Sequence, residues 1–280
     1  MRLRAMAAGL AMITVVGGAV VEASGSENRV TFPNASGVVI TARLLLPAGT
    51  GPFPAVIALH GCGGSNDRSG ALVARDRDWA ERWVAAGHAV LLPDSFGSRG
   101  LGPQCSVADR TVRQSVERVD DTMAARAFLQ ARSDIRGDAL TLVGWSNGAG
   151  TALYAISARK RPADGRPDFR GAIAFYPGCR NVLARDITPR LPLTILIGDA
   201  DNWTPPGPCR DYVAMARASG AIADIVTYPG AYHGFDAPSS PIRERRGLAF
   251  TADGSGRAMV GTDPAARADA ISRVAALLAR

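Results

Sequence analysis

The sequence predicts an α/β fold, a mainly parallel β-sheet with helices on both faces. Three observations carry this. From residue 54 onward, short apolar runs alternate with helix-like stretches, the order expected of βαβ units. The apolar runs are continuous, as befits strands buried on both faces of a parallel sheet. The chain has 280 residues, 47% of them hydrophobic, enough to bury a large core.

The first residues stand apart from that pattern. "MRLR" is a short basic start, "AMAAGLAMITVVGGAVV" is an apolar run, and "VEA" at 21–23 places small residues where a signal peptidase cuts. The run is rich in Ala and Gly, short for a membrane span, and followed by no basic stop. These features predict a signal peptide over 1–23 and a single domain over 24–280. The chain is expected to be exported, periplasmic or secreted, with no stable membrane anchor after cleavage.

The elements then follow in order. "RVTF" and "GVVITARLLLP" read as two strands joined by the turn "PNASG". "PAVIALH" (54–60) is a buried strand that runs into "GCGG". Residues 71–86 read as a helix stopped by Gly87, and "HAVLLPDSFG" as the next strand. Val112, Val116, Val119 and Met123 recur at three- and four-residue steps, which predicts one long helix with all four on a single face. "ALTLVGW" is a strand and "NGAGTALYAISAR" a helix. "GAIAFYPG" and "PLTILIG" are two more buried strands, separated by a polar loop and "NVLARDITPRLP". A helix over 208–219 leads to the last strand, "ADIVTYPG". Asp263 caps a final helix with Pro264 at its first position. No linker divides the chain and no internal repeat is evident.

Charge and cysteines bound the partners. The formal net charge is +7, and removing residues 1–23 takes away Arg2, Arg4 and Glu22, leaving about +6. The basic residues are scattered apart from "RKR" (159–161) and "RERR" (243–246), which reads as solvated loops. No nucleic-acid partner is expected. Four cysteines, Cys62, Cys105, Cys179 and Cys209, suggest two disulfides in an exported chain, with three pairings open. No CxxC spacing or Cys/His cluster predicts a metal. "HGCGG" lacks both the Lys-Ser/Thr of a phosphate loop and the spaced glycines of a dinucleotide fingerprint, so no cofactor is expected.

The chemistry centres on "GWSNGAG" (144–150), which fits G-x-S-x-G. In a chain with 31 glycines the match alone is weak. Its context strengthens it: a strand precedes Ser146 and a helix follows. Such a turn needs small residues two before and two after the serine, and Gly144 and Gly148 supply them. It would lift the hydroxyl above the sheet edge, at a helix start whose dipole favours negative charge. A nucleophilic serine needs a base, and the chain has three histidines. His60 ends a strand and His88 begins one, which suits structural roles. His233, in "YPGAYHGF", follows the last strand on a glycine-flanked loop and can reach the serine. A carboxylate must hold that histidine, and "LIGDADNWTP" offers Asp199 and Asp201. The order serine, acid, histidine is the one expected of α/β-hydrolases. Oxyanion donors are expected from the N–H of Asn147 and from the loop after the "AVIALH" strand, where Cys62 is the best placed.

Taken in order, "HGCGG", "PDSFGSRG", "GWSNGAG", "IGDADNWTPPGPC" and "YPGAYHGFD" resemble the dienelactone hydrolase family of α/β-hydrolases, over roughly residues 35 to 240. The resemblance implies an α/β-hydrolase fold with an eight-stranded, mostly parallel sheet, and a catalytic domain over 24–280. It selects Asp201 over Asp199, because the family's acid falls in G-x-x-D-x-x-x-P, here Gly198, Asp201 and Pro205. Its histidine falls at His233. The sequence departs from the namesake enzymes at two positions. Ser146 stands where they carry a cysteine, and Gly61 where they carry a glutamate. Both departures point away from dienelactone and toward a serine mechanism, and the expected export and the four cysteines make the chain resemble a secreted branch of the family. The resemblance also implies bridges 62–105 and 179–209, the first of which would hold the Cys62 amide as an oxyanion donor.

The expected function is hydrolysis of a small-molecule carboxylic ester or lactone through an acyl-enzyme. Tyr176, Trp203, Tyr232 and Phe235 are candidates for an apolar substrate pocket. Arg99 is expected in a loop salt bridge. Two other readings use the same sequence: a peptidase or acyltransferase with this triad, and a periplasmic binding protein on this fold. The sequence leaves the oligomeric state open.

Overall fold

Eight strands form one sheet in the computed structural model, which describes residues 26–280. The expected leader over 1–23 lies outside the described residues. The strands are β1 (Ser26–Pro33), β2 (Val39–Leu46), β3 (Phe53–Leu59), β4 (Ala89–Pro93), β5 (Ile135–Trp145), β6 (Gly171–Phe175), β7 (Leu193–Gly198) and β8 (Ala223–Tyr228). Their order across the sheet is β1-β2-β4-β3-β5-β6-β7-β8. β1 and β2 pair antiparallel, as do β2 and β4, and every later pair is parallel.

The helices are α1 (Ala74–Ala85), α2 (Glu117–Gln130), α3 (Asn147–Ala155), the single turn α4 (Arg180–Leu183), α5 (Pro206–Ala218) and α6 (Pro264–Leu278). The continuous apolar runs are the central strands. All five residues of β4 and of β6 are buried, as are the last five of β3. Each large aliphatic side chain buried there contributes roughly 1.5–3 kcal/mol to the core. Asp263 caps α6 as expected, accepting the Ala266 N–H at 2.9 Å with Pro264 in the first turn.

Two features differ from the sequence reading. The helix expected to carry Val112, Val116, Val119 and Met123 begins only at Glu117. Glu117 turns back to accept the Arg113 amide at 2.8 Å and binds its guanidinium, and Val116 has non-helical angles (φ −132°, ψ −84°). Val112 is buried all the same, but from a loop. The second feature is a strap over 241–262. It holds a two-stranded ribbon, β9 (Arg243–Arg245) and β10 (Ala258–Val260), in a stretch whose polar, glycine-broken sequence gave no strand signal.

The topology gathers one set of chain segments at one sheet edge. The segments leaving β3, β5, β6, β7 and β8 begin at His60, Ser146, Tyr176, Asp199 and Pro229, all at C-terminal strand ends. In open α/β sheets that edge is where ligands bind. Both disulfides tie down loops there. Cys62 is bridged to Cys105 and Cys179 to Cys209, the pairs the resemblance implies.

Candidate active site

Ser146 sits at the sharp join of β5 and α3. Its φ is +51° with ψ −111°, a conformation non-glycine residues rarely hold. Its N–H bonds the Phe175 carbonyl at 2.9 Å, and its carbonyl accepts from Gly150 N–H at 2.9 Å, so both strand and helix fix the turn. The flanking glycines are obligatory. A Cβ on Gly144 would lie 2.4 Å from the Gly148 carbonyl oxygen, and one on Gly148 would lie 2.0 Å from the Leu59 carbonyl oxygen. Close packing of strand against helix, which the sequence motif requires, is therefore present.

Asp201 and His233 meet on neighbouring loops. Asp201 Oδ2 lies 2.8 Å from His233 Nδ1. The Asp201 carboxyl also accepts the amides of Trp203 and Thr204, both at 2.9 Å on Oδ1. Thr204 Oγ1 stands 3.0 Å from Asp201 Oδ2 and 3.1 Å from His233 Nδ1. With Nδ1 turned to the carboxyl, Nε2 is the ring nitrogen free to handle a proton. The imidazole is packed between rings, with centroids 4.4 Å from Tyr176 and 4.7 Å from Trp203. Asp199 does something else: it accepts the Gly230 amide at 2.6 Å and so braces the loop that carries His233.

Ser146, Asn147, Cys62 and Trp203 line one cleft of about 660 Å³. The Cys62 and Asn147 amides have no protein acceptor among the described residues, as donors reserved for a ligand oxygen should. Asn147 opens α3, so the helix dipole reinforces its N–H. Ser146 Oγ makes no hydrogen bond to His233 among the described residues. Such bonds often tighten only around substrate.

The four residues suggested for the substrate pocket part ways. Trp203 lines the cleft. Tyr176 is buried beneath His233 and packs in the core. Phe235 is 0% exposed, against Phe175 and Tyr228, and belongs to the core as well. Its place after the glycine of "HGF" turns it inward, away from the cleft. Tyr232 is half-buried and does not line the cleft. Arg99 pairs with Asp121 through two bonds of 2.8 and 2.9 Å.

Two buried polar residues, Asp236 and Arg118, and the half-buried Arg75, none singled out by the sequence reading, hold this edge together. Asp236, 0% exposed, accepts the indole N–H of Trp145 at 2.7 Å and of Trp79 at 2.8 Å on Oδ2, and the Tyr176 hydroxyl at 2.6 Å on Oδ1. Burial, with the Asp236 charge next, holds the Tyr176 phenol well above its ordinary pKa, so it stays a donor. Arg118 donates to Asn147 Oδ1 at 2.6 Å and to the His60 carbonyl at 2.9 Å, linking the two stretches that present the free amides. Burial brings its guanidinium down to about 10. Arg75 lies over the Trp145 ring at 4.6 Å and pairs with Asp76. A Cβ on Gly61 would lie 3.8 Å from Ser146 Cβ and 3.9 Å from Arg75 Nη1, so the position of the family glutamate faces a guanidinium here.

Comparison with known proteins agrees with this architecture. The family model described as "Dienelactone hydrolase family" matches residues 40–280. A protein of Methylorubrum extorquens named "Putative carboxymethylenebutenolidase" is 25% identical over 221 residues, covering 72% of this chain and 70% of its own. Among solved structures, a dienelactone hydrolase-like promiscuous phosphotriesterase from metagenomic libraries superposes with a TM-score of 0.67. It is 16% identical and covers 91% of this chain and 98% of its own. A dienelactone hydrolase from Anabaena variabilis superposes at 0.60, with 17% identity, covering 90% and 96%. At such identities the two structures bear on the fold alone.

Proposed function

The chain belongs to the dienelactone hydrolase family, and on that premise we propose that it is a serine-dependent hydrolase of carboxylic esters or lactones. The observation that carries the reading is the Asp201–His233 pair at 2.8 Å beside a cleft into which Ser146 opens from a strained turn. Ser146 Oγ attacks the acyl carbon while His233 Nε2 takes its proton. Asp201 keeps Nδ1 protonated and steadies the imidazolium. The Cys62 and Asn147 amides receive the oxyanion. His233 then gives the proton to the leaving alcohol, and water attacks the acyl-enzyme by the same route in reverse.

The proposed nucleophile fits its surroundings. A thiolate would need the glutamate that Gly61 replaces, whereas a serine needs only a base. The peptidase, acyltransferase and binding-protein readings have no observation of their own in their favour. The test is labelling with a fluorophosphonate. Wild type should gain one adduct, mapped to Ser146, and Ser146→Ala should gain none. Labelling of both proteins alike would remove Ser146 from the mechanism.

We further infer export to the periplasm or beyond. Two disulfides support it, since such bridges persist in oxidising compartments. Among the described residues, no helix is long and apolar enough to cross a membrane. Amino-terminal sequencing of protein recovered from the periplasm or medium should begin near residue 24. Recovery only from the cytoplasm would refute export.

A further inference from the structure

Phe250 is the residue whose conformation the fold explains least. It sits on the strap with φ +63°, in the left-handed region that a bulky side chain enters at a cost. It is 64% exposed, while Leu248 and Thr251 on either side are buried. The loop that holds it is closed firmly. Ala249 N–H bonds the Cys105 carbonyl at 2.9 Å, Leu248 N–H donates to the Gly256 carbonyl at 3.0 Å, and Gly256 N–H donates to Thr251 Oγ1 at 3.0 Å. Glycine at 250 would relieve both costs, the strain and the exposed apolar ring.

The position of the ring suggests what offsets them. Phe250 lines the same cleft as Ser146. The Arg110 guanidinium lies 4.9 Å from its centroid. Arg110 is itself fixed, its Nε donating to the Gln104 and Val107 carbonyls at 3.0 Å, and no carboxylate pairs with it among the described residues. With a cation against the ring and most of the residue still exposed, the remaining aromatic surface is open to the cleft. A strained, exposed aromatic beside a candidate nucleophile is the arrangement expected of a ligand contact.

We propose that Phe250, backed by Arg110, is a specificity-determining platform for esters that carry an aromatic ring. The ring of the substrate stacks offset or edge-on against Phe250 while its ester reaches Ser146. This inference rests on the serine-hydrolase reading above. A contact of this kind is worth about tenfold in kcat/KM.

The experiment compares methyl benzoate and phenyl acetate with methyl butyrate, followed by acid release in a pH-stat. For Phe250→Gly, kcat/KM on at least one ring-bearing ester should fall about tenfold, mainly through KM, while methyl butyrate changes less than about twofold. Its Tm should stay level or rise as the strain is relieved. Phe250→Leu, which keeps the backbone strain and the apolar bulk, should show the same selective loss, and Phe250→Tyr should not. If all three esters change by one factor, or none changes, the platform is overturned. Ser146→Ala measured alongside separates the two levels. Turnover by that variant sinks the hydrolase reading. A dead Ser146→Ala with an unselective Phe250→Gly sinks only the platform.

Discussion

The indole nitrogen of Trp145 lies 2.7 Å from Oδ2 of Asp236, so the residue before Ser146 is tied to the residue three places beyond His233. Through the same carboxyl, Trp79 of α1 and Tyr176 at the end of β6 join them. The turn at Ser146 and the loop of His233 are thus registered by one buried acceptor.

Asp236→Ala should therefore be costly. It strands three buried donors, for about 3–5 kcal/mol in all, once some relaxation is allowed. Asp236→Asn should lose about half as much, because its carbonyl can keep the two indoles while its amide faces the Tyr176 oxygen. Urea denaturation measures both. Equal losses for the two variants would show that the hydrogen-bond pattern does not matter.

Asp201 and Asp199 should separate cleanly. Asp201→Asn leaves an amide opposite His233 Nδ1, favours the wrong tautomer, and should lower kcat by about 10³–10⁴-fold. Asp199→Ala removes only the brace on Gly230, for about 1 kcal/mol of stability, with kcat within about threefold. Steady-state kinetics beside thermal melts decides the assignment. The reverse ranking would make Asp199 the acid.

The bridge between Cys62 and Cys105 closes a loop with a sequence separation of 43. Replacing both cysteines by serine should cost about 4 kcal/mol by the chain-entropy argument. Because Cys62 also presents a free amide to the cleft, kcat should fall by about tenfold or more. Removing the Cys179–Cys209 bridge should cost a similar stability with a much smaller change in kcat. Kinetics well below each variant's Tm tests this. A kcat equally insensitive to both bridges would detach the first from the oxyanion donors.

What the sequence made legible, and what it did not, follows from the range of the signals. Ser146 and its two glycines are local: a strand, a tight turn and a helix lie within about 20 residues, and steric need fixes the residue types. The continuous runs of β3 to β7 are equally local. Asp201 against Asp199 was not decidable from spacing, because the choice depends on how the loop after β7 folds back toward β8. Arg118 reads as one more charge in "ERVDD", and only the fold turns it under Asn147. Asp236 lies within "YHGFD", yet its partners lie 60, 91 and 157 residues away, which no periodicity reports. Phe235 failed as a pocket residue for the same reason, since an aromatic beside a histidine gives no sign of which way it faces.

The final prediction concerns pH. His60 is buried at the head of the loop that presents Cys62. Its Nδ1 lies 2.8 Å from the Gly61 carbonyl and donates to it, and its Nε2 accepts the Ser95 N–H at 3.3 Å, so the ring is held neutral. Burial first, then the charge of Arg118 and, less, that of Arg75, hold its pKa well below the ordinary value, against the hydrogen bond to Gly61. Asp94, 3.8 Å from Nε2, is beyond hydrogen-bond reach. The sign follows. The unfolded chain takes up a proton near its ordinary pKa of about 6.5, and the folded chain does not. Stability from this residue is complete above that pH and is lost as pH falls below it, by about 1.4 kcal/mol per unit. His88, also shifted down by burial, acts in the same window, so a variant is needed to isolate His60. His60→Gln should be less stable at pH 7.5, yet between pH 7.5 and 5.5 it should lose about 1.4 kcal/mol less than wild type. Urea midpoints at both pH values give the difference. Parallel losses in the two proteins would mean that His60 accepts its proton while folded.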